Sequence, residues 1–181
     1  APPPAPDFRR AVEAYAAGIE RVALERVPVY ARALGLPADF FDSAMHDPFW
    51  RLRMTRYHPV GDVPADEFGI APHVDTTFFT LLAQDTEGLT IRSERRGEWV
   101  AAPVVADALV VNTGELLKQW SNDRFVSVKH FVPPHQGPAD RYSIPFFFNA
   151  NADWPMRVLP TCTGEAHPPR YPAVRYRQSQ A

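Results

Sequence analysis

The sequence predicts one mainly β domain that begins with a helical layer. Apolar residues recur every three to five positions near the N-terminus, and from Trp50 onward they alternate with polar residues. The 181 residues are 45% hydrophobic, which suits a single domain with one core. We therefore expect a helical part over residues 1–49 and a β-rich part over residues 50–181.

The helical part carries two candidate helices. In FRRAVEAYAAGIERVALERV, apolar residues from Phe8 to Val27 line one side of a helix. Pro28 lacks an N–H and crowds the carbonyl four residues back, so we expect a kink or restart there and an end near Gly35. The segment LPADFFDSAM, with Pro37 in its first turn, predicts a second, short helix.

The β-rich part is a series of short strand candidates. Trp50, Leu52 and Met54 alternate with polar residues, as in a half-buried strand. The further candidates are TTFFTLLA, LTIRS, EWVAA, ALVVN, FVSVKHFV, RYSIPFFF and MRVL. GELLKQWSN interrupts them with a helical pattern. About eight strands after a helical layer predict a sandwich, a jelly roll or a barrel.

Charge and cysteine content argue against several partners. The chain has 19 basic and 21 acidic residues and a net charge of -2, so it lacks the basic surface that nucleic acid requires. The single Cys162 cannot form an intramolecular disulfide. Neither a secretory signal nor a membrane-length apolar run is visible. We expect a cytoplasmic protein without a membrane partner.

A candidate metal site lies in APHVDTTFFTLLAQDTEGLTI. In an extended chain residues i and i+2 face the same way, so His73 and Asp75 can meet one ion. An imidazole and a carboxylate suit Fe(II), Mn(II) or Zn(II), but they need a third ligand. The alternative is a histidine and an aspartate joined by a loop hydrogen bond.

The third ligand must be another histidine brought close by the fold. The candidates are His46, His58, His130, His135 and His167. His130 is the best placed because it closes the strand-like FVSVKH, whereas the others lie in loops or turns. Two histidines and one carboxylate form a facial triad that leaves three coordination positions open, which indicates catalysis rather than a structural metal.

A candidate anion site follows in RYSIPFFF. Arg141 and Ser143 share one face of this strand, and Tyr142 and Ile144 share the other. An arginine aimed into an apolar interior needs an anionic partner, and a ligand carboxylate would supply one. The alternative is a surface arginine on an edge strand.

These residues resemble the isopenicillin N synthase-like branch of the Fe(II)/2-oxoglutarate-dependent dioxygenases. The branch signature is H-x-D, about 55 residues, H, about ten residues, and R-x-S. The surrounding segments GIAPHVDTTFFTLLAQD, GEWVAAPVVADALVVNTGELLKQWSNDRFVSVKH and RYSIPFFFNAN resemble family segments in the same order, and the likeness covers roughly Phe8 to Tyr176.

The resemblance implies a ligand set. His73, Asp75 and His130 would bind Fe(II), and no further catalytic residue is implied. Arg141 and Ser143 would hold the distal carboxylate of 2-oxoglutarate. Relatives often carry Asn-x-Tyr near TRY; Tyr57 matches this tyrosine, and a threonine replaces the asparagine.

The resemblance also implies a fold and an activity. The fold is a double-stranded β-helix, or jelly roll, and relatives normally have about a hundred further N-terminal residues. The activity is the O₂-dependent oxidation of an unactivated C–H bond in a small-molecule substrate, by hydroxylation, desaturation or cyclisation, in specialised metabolism. Phe79, Leu81, Phe146 and Phe148 could line its pocket, although core packing is the more common role.

Two other functions stay open. One is an iron oxidase that works without 2-oxoglutarate, as isopenicillin N synthase does, with Arg141 and Ser143 binding a substrate carboxylate. The other is a non-catalytic jelly roll that binds small ligands.

Overall fold

A long helix and two antiparallel sheets make up the fold in this computed structural model, which describes residues 6–64 and 66–175. The helices are α1 (Pro6–Ala33) and α2 (Glu115–Trp120), with a 3-10 turn at Pro160–Cys162. The strands are β1 (Trp50–Leu52), β2 (Thr55–Tyr57), β3 (Ile70–His73), β4 (Phe79–Gln84), β5 (Thr90–Ser93), β6 (Glu98–Ala101), β7 (Val110–Thr113), β8 (His130–Val132), β9 (Arg141–Phe148), β10 (Pro155–Met156) and β11 (Val174–Arg175).

The strands form two main sheets and one small pair. The first sheet has the order β1-β9-β4-β7, and β2 also pairs with β9. The second has the order β3-β8-β5-β6, and β10 pairs with β11. Every pairing is antiparallel. The predicted mainly β architecture with an N-terminal helix is confirmed.

Strand β9 divides the interior because its two faces have different neighbours. Phe146 and Phe148 are fully buried in the main core with Phe79 and Leu81, and α1 packs on the same cluster. These four residues therefore pack in the core and do not line the pocket. The opposite face of β9, which begins with Arg141, faces a cleft between the sheets.

The main core is rich in aromatic contacts between α1 and the first sheet. The fully buried ring of Phe78 lies 5.5 Å from Tyr30, 5.4 Å from Phe41 and 5.8 Å from Trp120, measured between ring centroids. Such edge-to-face pairs are favourable beyond the area that they bury. This cluster fixes the sheet that carries one wall of the cleft.

Of the kink or restart predicted at Pro28, the restart is wrong. Helix α1 runs through Pro28, because Val27 and Ala31 are buried on either side of it and hold the helix in place. It ends close to Gly35, as predicted, and the φ of Gly35, 72°, is in the left-handed region that glycine favours.

The predicted second helix, in LPADFFDSAM, is also wrong, since consecutive turns replace it. The bonds from Phe40 N to Pro37 O and from Asp42 N to Asp39 O span three residues rather than four. Burial of Phe41, Ala44 and Met45 in the main core outweighs the local helical preference.

Several strands also differ from the pattern, and of the candidate MRVL only Met156 lies in a strand, β10. Within FVSVKHFV only His130–Val132 is a strand, because the preceding residues bond irregularly, with Val126 O accepting from the Thr113 hydroxyl at 2.6 Å. Strand β3 is absent from the sequence-based candidates, since Pro72 lies within it. In the described ranges, no helix has the length and apolar character needed to cross a membrane.

We predict that Phe78→Ala lowers the free energy of unfolding by about 3 to 5 kcal/mol, because the fully buried ring leaves a cavity among aromatic neighbours. The matched control Phe8→Ala removes a ring that is 52% exposed, so the free energy of unfolding should change by less than about 0.5 kcal/mol. Urea unfolding followed by circular dichroism gives both values. Equal losses in the two variants would contradict the assignment of Phe78 to the core.

Candidate active site

The fold brings His73, Asp75 and His130 together. His73 ends β3 and lies opposite His130, the first residue of β8, in the antiparallel register; Asp75 follows β3 by two residues. Asp75 Oδ1 is 3.8 Å from His73 Nε2 and 3.6 Å from His130 Nε2. One ligand atom from each residue lies within 4.8 Å of the others. Three donors therefore face one point.

Backbone carbonyls orient both imidazoles. His73 Nδ1 lies 2.8 Å from Ala71 O, and His130 Nδ1 lies 2.8 Å from Val128 O. A carbonyl only accepts, so Nδ1 carries the proton and donates in each ring. In the neutral ring each Nε2 then offers its lone pair to a metal, and both Nε2 atoms face Asp75 Oδ1.

Asp75 is also fixed by hydrogen bonds, in this case from two side chains. Its carboxylate is 5% exposed, and Oδ2 accepts hydrogen bonds from Thr80 Oγ1 at 2.7 Å and from Asn112 Nδ2 at 2.9 Å. Oδ1 is left facing the two imidazoles. A buried carboxylate with one oxygen fixed and one turned towards two histidines fits a divalent cation.

The other four histidines lie elsewhere. His58 Nδ1 is 2.9 Å from Asp140 Oδ1, and His135 Nε2 is 2.6 Å from Ala139 O. His46 and His167 are exposed. Of the described histidines, only His130 joins the pair.

Arg141 is the most buried charged residue of the cleft, at 1% exposure. Its Nε donates to Thr86 O at 3.0 Å, and its Nη2 donates to Gln84 Oε1 at 3.1 Å. Its Nη1 is buried without a hydrogen-bond partner. The surface-arginine alternative is wrong, because β9 is paired along both edges and this side chain points inward. An unpaired N–H of a buried cation fits an anionic ligand.

Residues on β2 complete this end of the cleft. Tyr57 lies opposite Arg141 and Thr55 lies opposite Ser143 in the antiparallel register. The Arg141 guanidinium is 4.9 Å from the centroid of the Tyr57 ring. The same cleft is lined by Ser143 and by the three residues of the His–Asp–His cluster.

Gly88 makes room for the Arg141 guanidinium. A Cβ at this position would lie 2.5 Å from Arg141 Nε and 2.9 Å from Arg141 Cζ. Sequence reasoning missed this glycine, and it also missed Thr80, Asn112 and Gln84. The alternation of β4 puts Thr80 and Gln84 on one face, and this pattern in the sequence could have indicated that both side chains point into the cleft.

Asp140 forms a second polar cluster on the outer side, next to Arg141. Arg56 Nε donates to Asp140 at 2.7 Å, and this hydrogen bond holds the pKa of Asp140 below its ordinary value. His58 bonds the other carboxylate oxygen. The cluster ties β2 to the start of β9 and so supports the position of Tyr57 beside Arg141.

Comparison with known proteins decides the family. The model of the 2OG-Fe(II) oxygenase superfamily matches residues 49–150, which is more than half of the chain and includes the His–Asp–His cluster, Arg141, Ser143 and Tyr57. The chain belongs to the 2OG-Fe(II) oxygenase superfamily. The family predicted from the H-x-D, H and R-x-S pattern is therefore confirmed.

Individual relatives agree with the family assignment. A 2-oxoglutarate-Fe(II) type oxidoreductase of Emericella nidulans is 34% identical over 95% of this chain and 50% of its own length. Among solved structures, the dioxygenase for auxin oxidation in rice has a TM-score of 0.85 and 28% identity, over 98% of this chain and 59% of that one. JOX2 in complex with 2OG, Fe and JA has a TM-score of 0.89 and 27% identity, over 99% of this chain and 53% of that one. The chain spans about half the length of the curated relatives that it matches.

We predict that Asp75→Ala weakens the binding of Fe(II) or Mn(II) to this chain by more than about a hundredfold. Loss of an outer partner of a metal ligand costs about 10- to 100-fold, and loss of the ligand itself should cost more. Anaerobic equilibrium dialysis measures the affinity. His135→Ala and His167→Ala are the controls and should bind metal normally; unchanged binding by Asp75→Ala would contradict the ligand assignment.

We also predict that Gly88→Ala weakens 2-oxoglutarate binding by about tenfold or more while metal affinity stays unchanged. The new Cβ forces the guanidinium of Arg141 out of its place, and one hydrogen bond to a charged group accounts for about tenfold. Gly164→Ala is the matched control because its Cβ would meet nothing within 4 Å. Calorimetric titration with 2-oxoglutarate in the presence of Mn(II) gives the affinities. Equal affinities in Gly88→Ala and the unmodified chain would disprove the role of Gly88.

Proposed function

We propose that this chain is the catalytic part of a non-haem oxygenase that uses Fe(II), 2-oxoglutarate and O₂ to oxidise an unactivated C–H bond of a small molecule. One observation carries the proposal: a cleft holds three metal-competent donors and, in the same space, a buried guanidinium with an unpaired N–H. Family membership supports this pairing of a metal with an anionic cosubstrate.

The donor set fits the iron. Two neutral imidazoles and one carboxylate are the ligands that non-haem Fe(II) oxygenases use, and they leave positions open for other molecules. His73 Nε2, Asp75 Oδ1 and His130 Nε2 would be the ligand atoms. When bound, Fe(II) and 2-oxoglutarate supply the oxidation, in which O₂ is consumed, succinate and CO₂ are released and the substrate C–H bond is oxidised.

Strand β9 and its neighbours form the end of the cleft that would bind 2-oxoglutarate. Arg141 Nη1 would donate to the distal carboxylate of 2-oxoglutarate, and the Ser143 hydroxyl would donate a further hydrogen bond. Thr86 O and Gln84 Oε1 hold the other two guanidinium nitrogens, so the fork is oriented before the ligand arrives. Tyr57 covers the face of the guanidinium and excludes water from it.

The proposed architecture is a double-stranded β-helix in which the first and second sheets enclose the cleft. The first sheet supplies Arg141, Ser143, Tyr57 and the bond partners of Asp75, whereas the second sheet supplies both histidines. The proposed oxidation of the C–H bond is a hydroxylation, desaturation or cyclisation of a specialised metabolite.

We predict that Arg141→Lys raises the 2-oxoglutarate concentration for half-maximal succinate formation at least about tenfold, because lysine keeps the charge and loses the fork. Arg141→Ala should raise it further, and Ser143→Ala should raise it less. Metal affinity should stay unchanged in all three variants, since neither residue is a ligand.

The matched control is Arg96→Ala, which removes a surface arginine that pairs with Glu98. Succinate release is measured at saturating iron. An unchanged requirement in both Arg141 variants would show that Arg141 does not hold the cosubstrate. Substrate oxidation without any succinate release would favour an oxidase that works without 2-oxoglutarate.

A further inference from the structure

A second, wider groove adjoins the cleft on its metal side. It runs between the N-terminal half of α1 and the β1 segment, and Glu13, Phe49, Arg51 and Met54 are among its lining residues. Four residues line both spaces: Arg53, His73, Asp75 and Phe147. A molecule in the groove therefore lies against the metal ligands.

Two arginines of the β1 segment, Arg51 and Arg53, line this groove. Trp50 and Leu52 pack against the main core, and the ring of Trp50 lies 5.2 Å from that of Phe146. Side chains at alternate positions of a strand point to opposite faces, so Arg51 lies on the face away from the main core; Arg53 follows the strand, and both line the groove. Both are exposed.

Neither guanidinium has an acidic partner in the described part of the chain. All ion pairs found there involve other residues. Glu13 is the one carboxylate of the groove besides Asp75, and it forms no ion pair with either guanidinium group. The two arginines and the two carboxylates of the groove balance in number, but Asp75 faces the histidines, so both guanidinium groups are left for an anionic ligand.

Aromatic rings orient both arginines. The Arg53 guanidinium lies 5.9 Å from the centroid of Phe147, and that of Arg51 lies 5.4 Å from the centroid of Phe49. This contact uses the face of the guanidinium and leaves its N–H edge free. A carboxylate matches that edge with two parallel hydrogen bonds.

We propose that the primary substrate is a carboxylic acid with an apolar body, and that Arg53 binds its carboxylate in the groove. Arg51 adds positive charge, and Phe147 and Met54 contact the apolar body. A carboxylate is favoured over a phosphate because a single arginine, Arg53, borders the metal ligands and suits a monoanion. The inference rests on the proposed function, since it assigns the substrate of the same site.

The test is calorimetry on the whole chain loaded with Mn(II) and saturating 2-oxoglutarate. Mn(II) keeps the site redox-silent, and the cosubstrate occupies Arg141, so that a second carboxylate must bind elsewhere. The probes are 4-phenylbutyrate, the neutral 4-phenylbutyramide and 3-phenylpropylphosphonate. We expect the acid to bind at least about tenfold more tightly than the amide and more tightly than the phosphonate.

Substitutions test whether Arg53 is responsible for the preference for the acid over the amide. Arg53→Ala should remove the preference for the acid and leave the affinity of the amide unchanged, whereas Arg53→Lys should keep part of it. The matched control is Arg96→Ala, because Arg96 lies in the turn between β5 and β6 and pairs with Glu98. It should keep the full preference.

The proposed function and the substrate inference fail separately. Failure of 2-oxoglutarate itself to bind the Mn(II)-loaded chain would count against the proposed function. Binding of 2-oxoglutarate with equal affinities for acid and amide, including no detectable binding of either, would overturn the substrate inference alone. A preference for the phosphonate, or one that survives Arg53→Ala, would overturn it as well.

Discussion

Two opposite charges buried in one cleft constrain the rest of this structure. Burial of an ionised group is costly unless hydrogen bonds and counter-charges replace the water that it loses. Asp75 has one oxygen satisfied by Thr80 and Asn112, and Arg141 has two nitrogens satisfied by Gln84 and Thr86. In each group one polar atom remains for a ligand, Oδ1 in the aspartate and Nη1 in the arginine.

Strand β4 sets the separation of these two groups. Thr80 holds Asp75 and Gln84 holds Arg141, and the two lie four residues apart on one face, about 13 Å along the strand. The register with β9 places Gln84 opposite Ser143 and therefore next to Arg141. A shift of that register by one residue would turn Arg141 into the aromatic core. The main core, which fixes β4 against α1, thus also fixes the geometry of the cleft.

The residues that would contact the metal and the cosubstrate could be predicted from the sequence, whereas several residues that hold them in place could not. Alternation in RYSIPFFF correctly separates Arg141 and Ser143 from the core residues, and the spacing of His73 and Asp75 predicts that they converge. The choice of His130 over other histidines agrees with its position opposite His73. Asn112 and Gly88 were not predicted, because their contacts arise only when distant strands pair. The turns at residues 38–45 were also missed, since burial of Phe41 overrides local helical preference.

A crystal structure of the chain grown anaerobically with Mn(II) and 2-oxoglutarate is the most direct measurement of how this cleft works. We expect one metal ion bound by His73 Nε2, Asp75 Oδ1 and His130 Nε2. We also expect the keto-acid end of 2-oxoglutarate on that metal and its distal carboxylate against Arg141 Nη1 and the Ser143 hydroxyl. A metal held by other residues, or a cosubstrate whose distal carboxylate lies away from Arg141, would contradict this assignment of the cleft.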